Sequence, residues 1–390
     1  MKVLMISPGL SGSETSGAGV AIHKIANELS KKISLTIIQP ENINNKDRQV
    51  STEIFGDTSL INDVTRIRIA SQVGPYAYAE SEDEEVSQGV LSKVRSELTL
   101  FTEGVLREVT DMDFDLIYAH DWIAFEAALK IKEATKKPLV LHVHSLDVDR
   151  ISSVNHTWVF DIERRAFEHS DLILTVSKYS ADRINRYYGI HVRKIKVVYH
   201  GTDIPSTLNY ENKFEEPVIL FAGRLSFQKG PQSFIQIAEK VLASKPETRF
   251  VVAGDGDLRN DLIELSAHKA IGDRMHFTGY LDREEMNKIY GEASVLCMPS
   301  VSEPFGLVAA EAAAAQIPVV LSKNAGASEV LPGAIRIEHT DIEGFANSIL
   351  ELIDRKLDVE KITSKNFKSI KDLTWERTAN EIDEVFNSLT

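Results

Sequence analysis

Short apolar runs alternate along most of this chain with longer stretches whose apolar positions recur every three to four residues. That alternation is the pattern of repeated strand–helix–strand units. In the first half, Val3–Ser7, Ser34–Gln39, Asp115–Ala119, Leu139–His144, Asp171–Val176 and Lys196–His200 read as strands. Helical periodicity falls over Gly19–Lys32, Trp122–Thr135, Asn155–His169 and Lys178–Tyr188. In the first of these, Ile22, Ile25, Ala26 and Leu29 make one apolar stripe. The acid-rich stretch from Glu41 to about Val109 is less regular; it predicts a further strand or two, a loop and a helix over Val90–Val109.

The pattern pauses at Thr202–Glu216, which is polar, contains Pro205 and has no periodicity. It restarts with strands at Pro217–Ala222, Thr248–Ala253, Arg274–Phe277, Ser294–Met298, Pro318–Leu321 and Ala334–Ile337. Helices are predicted over Gln232–Ser244, Asp257–Lys269, Asp282–Gly291, Leu307–Gln316, Asp341–Ile353 and, after a threonine cap, Trp375–Leu389. The fold class is therefore α/β, with two doubly wound parallel-sheet domains. The expected division is residues 1–203, residues 204–373, and a last helix over residues 374–390.

A length of 390 residues suits two such domains, and 43% hydrophobic with 26% charged residues is ordinary for a globular protein. The net charge of -14 argues against a nucleic-acid or anionic-membrane surface. The acidic run Glu80–Glu85 reads as a solvated loop. One cysteine, Cys297, excludes an internal disulfide; it sits in the run Val295–Met298 and reads as a core thiol. Met1–Ser7 is too short for a signal peptide and no run is long enough to span a membrane, so a cytoplasmic protein is the expectation.

The densest chemistry lies in Ser302-Glu303-Pro304-Phe305-Gly306-Leu307-Val308-Ala309-Ala310-Glu311, where a strand gives way to an alanine-rich helix. Pro304 and Gly306 force a turn, so the helix starts near Leu307 at the carboxyl edge of a parallel sheet. Its free N–H groups then make an anion site flanked by two carboxylates able to bind hydroxyls. A second strand end, Gly223-Arg224-Leu225-Ser226-Phe227-Gln228-Lys229-Gly230, offers a tight turn, a forked cation and a mobile one, suited to phosphate oxygens. The loop after the first strand carries Gly12, Gly17 and Gly19 but neither a dinucleotide nor a Walker fingerprint. His120, Asp121, His144 and Asp147 end or follow two buried strands, where hydrogen-bonded core residues and a ligand site are both open readings. No paired carboxylates stand at a strand end as a clear metal site; Asp147 with Asp149, and Asp255 with Asp257, are the weaker pairs.

Several of these pieces occur in the order found in one family. Gly223-Arg224-Leu225 with Lys229-Gly230, Val252-Ala253-Gly254-Asp255-Gly256, Phe277-Thr278-Gly279-Tyr280-Leu281 and the double-glutamate turn follow one another, continuing to Ser328-Glu329. On these motifs the chain resembles the retaining glycosyltransferases of family four over nearly its whole length. His120-Asp121-Trp122 and His144-Ser145-Leu146-Asp147 are similar to glycogen-synthase-like members. The resemblance implies a GT-B fold, two Rossmann-like domains facing a cleft, with the last helix packing back on the first domain. It implies transfer of a sugar from a nucleotide diphosphate sugar to the hydroxyl of a carbohydrate or other small acceptor, with retained configuration and neither cofactor nor metal. Glu311 would hold the ribose, Glu303 the donor sugar, and Arg224 and Lys229 the diphosphate. The backbone of Phe305, Gly306 and Leu307 would contact sugar and phosphates, Gly223 would shape the turn, and Tyr280 and Leu281 would line the base pocket. His144 would meet the transferred sugar and Gly17 the phosphates, while His120, Asp121 and Asp147 would border the acceptor. Where many relatives have Asn-Gly-x-Asp, this chain has His200-Gly201-Thr202-Asp203. A nucleotide-sugar epimerase, or a non-catalytic nucleotide-sugar-binding protein, is the alternative on the same architecture.

Overall fold

Runs that are apolar at consecutive positions form the two sheets, because a strand covered by helices on both faces has no solvent side. In the computed structural model, which describes residues 1–8, 17–41, 64–73, 84–150, 157–204 and 216–390, the chain divides into two units. The first comprises Met1–Tyr199 and Trp375–Thr390, and the second His200–Thr374.

The first unit runs β1 (Lys2–Ile6), α1 (Gly17–Ser30), β2 (Ser34–Glu41), β3 (Thr65–Ala70), α2 (Glu84–Val109), β4 (Leu116–His120), α3 (Asp121–Thr135) and β5 (Leu139–Val143). It continues with the single turn α4 (Asp147–Arg150), α5 (Trp158–His169), β6 (Leu172–Thr175), α6 (Lys178–Tyr188) and β7 (Ile195–Val197). Seven strands lie in the order β3-β2-β1-β4-β5-β6-β7, and their pairings are parallel. Every residue of β4 and β5 is buried. The direction of chain winding reverses between β1 and β4, where open α/β sheets bind ligands at the carboxyl ends of their strands.

The second unit repeats the plan with β8 (Val218–Ala222), α7 (Pro231–Ser244), β9 (Arg249–Ala253), α8 (Arg259–His268), β10 (Met275–Gly279), α9 (Arg283–Glu292) and β11 (Val295–Met298). Then come α10 (Leu307–Ala314), β12 (Val319–Ser322), β13 (Ile335–Ile337), α11 (Ile342–Ile353) and α12 (Val359–Ile370). Six parallel strands are ordered β10-β9-β8-β11-β12-β13, with the reversal between β8 and β11. Five of the eight residues of helix α10 are alanines, all buried, which lets its backbone lie close to α12 and the sheet.

The final helix α13 (Trp375–Asn387) belongs to the first unit, where it packs on α1 and stacks Phe386 edge-on against Tyr118 at 5.0 Å. Thr378 donates its hydroxyl to Tyr199 O at 2.9 Å, closing the seam.

Three sequence readings change. His200–Asp203, assigned to the first domain, belongs to the second unit. Thr202 N donates to Leu373 O at 2.8 Å, and Asp203 pairs with Arg283. Helix α12 was not foreseen, since its core-facing positions include Thr363 and Asn366; a carboxamide acceptor for Gly333 N, at 2.7 Å, stands where periodicity seeks an aliphatic residue. Helix α2 begins at Glu84, inside the acidic run read as loop. The rest of that run, Glu80–Asp83, lies outside the described residues, as does Gly12.

Candidate functional site

The loops after β8 and β11 emerge side by side at the second unit's switch point. Backbone bonds lock them together: Val301 N and Ser302 N both donate to Gln228 O, at 3.0 and 3.3 Å. Gly230 is required there because a Cβ would stand 2.3 Å from Pro299 O, and its φ is +67°. On the other side, Glu303 N donates to Asn324 O, and Glu303 O accepts from Gly326 N, both at 2.9 Å. The turn that carries Glu303 is thus pinned on two flanks.

This geometry brings Lys229 and Glu303 together. Lys229 Nζ lies 2.5 Å from Glu303 Oε2, with side-chain exposures of 24% and 9%. Gly306 caps α10 with a φ of +103° and leaves the first-turn N–H groups of Leu307 and Val308 at the site. Phe305 is buried in the same turn and meets His200 edge-on at 5.2 Å. Glu311 follows one turn into α10 and accepts from the Tyr290 hydroxyl at 2.8 Å. The glycine at position 223 has a φ of +143° with open space around its would-be Cβ, so conformation alone demands it. The Arg224 guanidinium sits 3.7 Å from Asp257, an exposed pairing a stronger anion can replace. Tyr280 and Leu281 follow the edge strand β10, and Tyr280 is 47% exposed. The Gly254 N–H bond to Gly279 O, 2.9 Å, ties that loop to the one after β9.

In the first unit, the switch point carries a histidine cluster at the ends of β4 and β5. His120 and His142 are register partners, and His144 lies two residues beyond His142 on the same side of the chain. His120 Nδ1 and His144 Nε2 are 2.9 Å apart, and His142 Nδ1 and the Tyr118 hydroxyl are hydrogen-bonded at 2.5 Å. Ligand atoms of the three histidines lie within 4.8 Å of one another. Their rings stack at interplanar angles of 13°, 23° and 31°. Burial lowers the His144 pKa to about 3, so its imidazole is neutral across the physiological range.

Asp121 opens α3 with a φ of +54°, a strained value for a non-glycine residue. Its carboxylate accepts from His144 N at 2.8 Å and Ser145 N at 3.4 Å, bridging the ends of β4 and β5. Burial raises its pKa to about 6, against the opposing pull of Arg150 and these two N–H groups. The Gly17 position is exposed at the start of α1.

Asp147 follows β5 at the start of α4. It is fully buried, and its carboxylate is committed to the Thr157 hydroxyl at 2.7 Å and the Thr157 N–H at 3.2 Å. Its own N–H is shared between the two oxygens of Glu163, at 3.1 Å each. His142 and Tyr290 were not singled out in the sequence. The alternation His142-x-His144 at a strand end was the available signal for the first; nothing local marked the second.

Glu163 supplies a pH dependence. Burial raises its pKa to about 8, opposed by Arg150 and by the Tyr188 hydroxyl donating to it. The folded chain therefore keeps a proton that the unfolded chain releases near pH 4.5. This contribution to stability is complete below pH 4.5 and is lost as pH rises through about 8. Urea unfolding at pH 5.5 and 8.5 should show the wild type weakening, with Glu163→Gln flattening the difference.

Comparison with known proteins identifies the family and the fold. The family model described as Glycosyltransferase Family 4 matches residues 15–205, and that described as Glycosyl transferases group 1 matches residues 208–369. An uncharacterised glycosyltransferase of Methanocaldococcus jannaschii is 31% identical over 234 residues, 56% of this chain and 60% of that protein. The glycogen synthase of Mycobacterium tuberculosis is 26% identical over 289 residues, covering 70% of this chain and 68% of its own. Among solved structures, the sucrose-phosphate synthase of Thermosynechococcus elongatus superposes with a TM-score of 0.79 at 19% identity, covering 100% and 99% of the two chains. The HepE protein of Anabaena, in complex with UDP-glucose, gives 0.73 at 18% identity with 100% of both chains covered.

Proposed function

Because this chain belongs to the family-four-like glycosyltransferases of GT-B fold, we propose that it transfers a hexose from a nucleotide diphosphate sugar to an acceptor hydroxyl with retained anomeric configuration. The observation that carries the reading is the Lys229–Glu303 pair at the N-terminus of α10, with Glu311 one turn further along. A cation, helix N–H groups and two carboxylates at one sheet edge match the parts of a nucleotide sugar: diphosphate, sugar hydroxyls and ribose. UDP-glucose is the first donor to test, as the ligand of the Anabaena neighbour.

In the proposed reaction the bond from the anomeric carbon to the diphosphate breaks, and its electron pair leaves on the phosphate oxygen. Arg224, Lys229 and the α10 N-terminus stabilise that growing charge. A charge pair at about 4 Å is worth roughly 4 kcal/mol at an effective dielectric of about 20, so two cations meet this demand without calling on a metal. The acceptor hydroxyl bonds to the anomeric carbon on the face being vacated, and its proton passes to the departing phosphate. Glu303 orients the sugar rather than attacking it. His144 and Gly17, with His120 and Asp121, are the first unit's proposed contribution, the neutral His144 serving as a hydrogen-bonding group rather than as a charge.

Transfer and hydrolysis assayed across UDP-, ADP- and GDP-sugars test the proposal, with the product anomer read by proton NMR. Glu311→Ala should weaken donor binding and Arg224→Ala should slow turnover. Activity unchanged in both variants refutes the site, and an inverted product refutes retention.

A further inference from the structure

Glu311 projects from a helix whose neighbouring positions, Ala309, Ala310, Ala312 and Ala313, have no side chain able to steer a carboxylate. A glutamate has three rotatable bonds, and a carboxylate binds a pair of adjacent hydroxyls well only when its plane is fixed. One fixing group comes from another helix. Tyr290, in the last turn of α9, is 4% exposed and donates its hydroxyl to Glu311 Oε2 at 2.8 Å.

We propose that Tyr290 is a positioning residue for donor recognition, holding the Glu311 carboxylate in the orientation that meets both ribose hydroxyls. The site then distinguishes ribose from deoxyribose partly through a phenol that never touches the nucleotide. The inference rests on the reading of Glu311 as the ribose anchor. Burial, reinforced by the charge of Glu311, raises the Tyr290 pKa well above its ordinary value, so the phenol stays a donor at every working pH. A buried tyrosine that merely found a partner would contribute to stability alone and leave ribose selection untouched. Orientation by Tyr290 places its effect in the ratio of two affinities.

The test uses the whole chain and calorimetric titration with UDP, ADP and GDP, taking the tightest binder and its 2′-deoxy form. The wild type should prefer the ribonucleotide by about tenfold or more, since a site built to bind a hydroxyl penalises its loss. Glu311→Ala should abolish the preference. Tyr290→Phe should reduce it to about threefold, raise the donor KM, and leave kcat within about twofold. Adding Tyr290→Phe to Glu311→Ala should change the ratio no further. Both affinities come from one preparation, so an inactive fraction cancels; if Tyr290→Phe does not fold, Tyr290→His is measured in the same way. An unchanged ratio in the tyrosine variant, with the ratio lost in Glu311→Ala, overturns the inference alone. A ratio that survives Glu311→Ala, or binding of none of the three nucleotides, overturns the ribose reading and the inference with it.

Discussion

Lys229→Ala is expected to lower kcat for sugar transfer by about 10²–10³-fold, the usual effect of removing one preorganised group from a developing anion. The donor KM should move less, because the charge that Lys229 meets grows mainly in the transition state. The same substitution should destabilise the protein by about 3 kcal/mol, since it leaves the Glu303 carboxylate, with 9% of its side chain exposed, without its cation. Stability and activity then separate in a second variant. Lys229→Met combined with Glu303→Leu removes both charges and should recover most of the lost stability while staying inactive. Steady-state kinetics and urea unfolding on the same preparations check this. A double variant no more stable than the single one would mean that the pair is not a buried charge couple.

Gly254→Ala is the other large effect expected, and its cause is steric. The residue has a φ of +142°, and a Cβ there would lie 1.9 Å from Gly223 O and 2.9 Å from Gly223 C. Neither obstacle is a flexible side chain. The loops after β8 and β9 are also tied by Gly223 N to Ala253 O and Leu225 N to Asp255 O, each 2.9 Å. Alanine must therefore push apart the turn that carries Arg224, at about 4 kcal/mol, with loss of nucleotide affinity. Gly189 is the control: its φ is +71° but nothing lies within 4 Å of its would-be Cβ. Gly189→Ala should cost only about 1 kcal/mol of backbone strain. Equal unfolding midpoints for the two variants would rule out the clash.

Elements whose apolar residues follow a simple period were legible in the chain, and those defined by partners were not. The alternation of buried runs with amphipathic stretches revealed both sheets, and Pro304 with Gly306 marked the turn that opens α10. Glycine, proline and charge at strand ends expose a site because they are chosen by local backbone geometry. Helix α12 stayed hidden because two of its three buried residues, Thr363 and Asn366, are polar. Asp147 looked available, one residue type in a suggestive string, until Thr157 appeared as its partner ten residues away. Tyr290 is 21 residues from Glu311, and only folding two helices against the same sheet makes them neighbours. Three imidazoles stack because β4 and β5 pair in a register that sets His120 opposite His142, which no local pattern encodes.

The return of α13 to the first unit bears on the order in which the molecule can be made. The buried Ile382, Val385 and Phe386 lie on this helix, which packs on α1 and sets Phe386 against Tyr118, yet they leave the ribosome only after all of His200–Thr374. Domains usually fold as units in order of synthesis. Here the unit begun first is finished last, so a nascent chain holds a complete second unit while the first still lacks one wall. That interval is when a chaperone would meet exposed apolar surface.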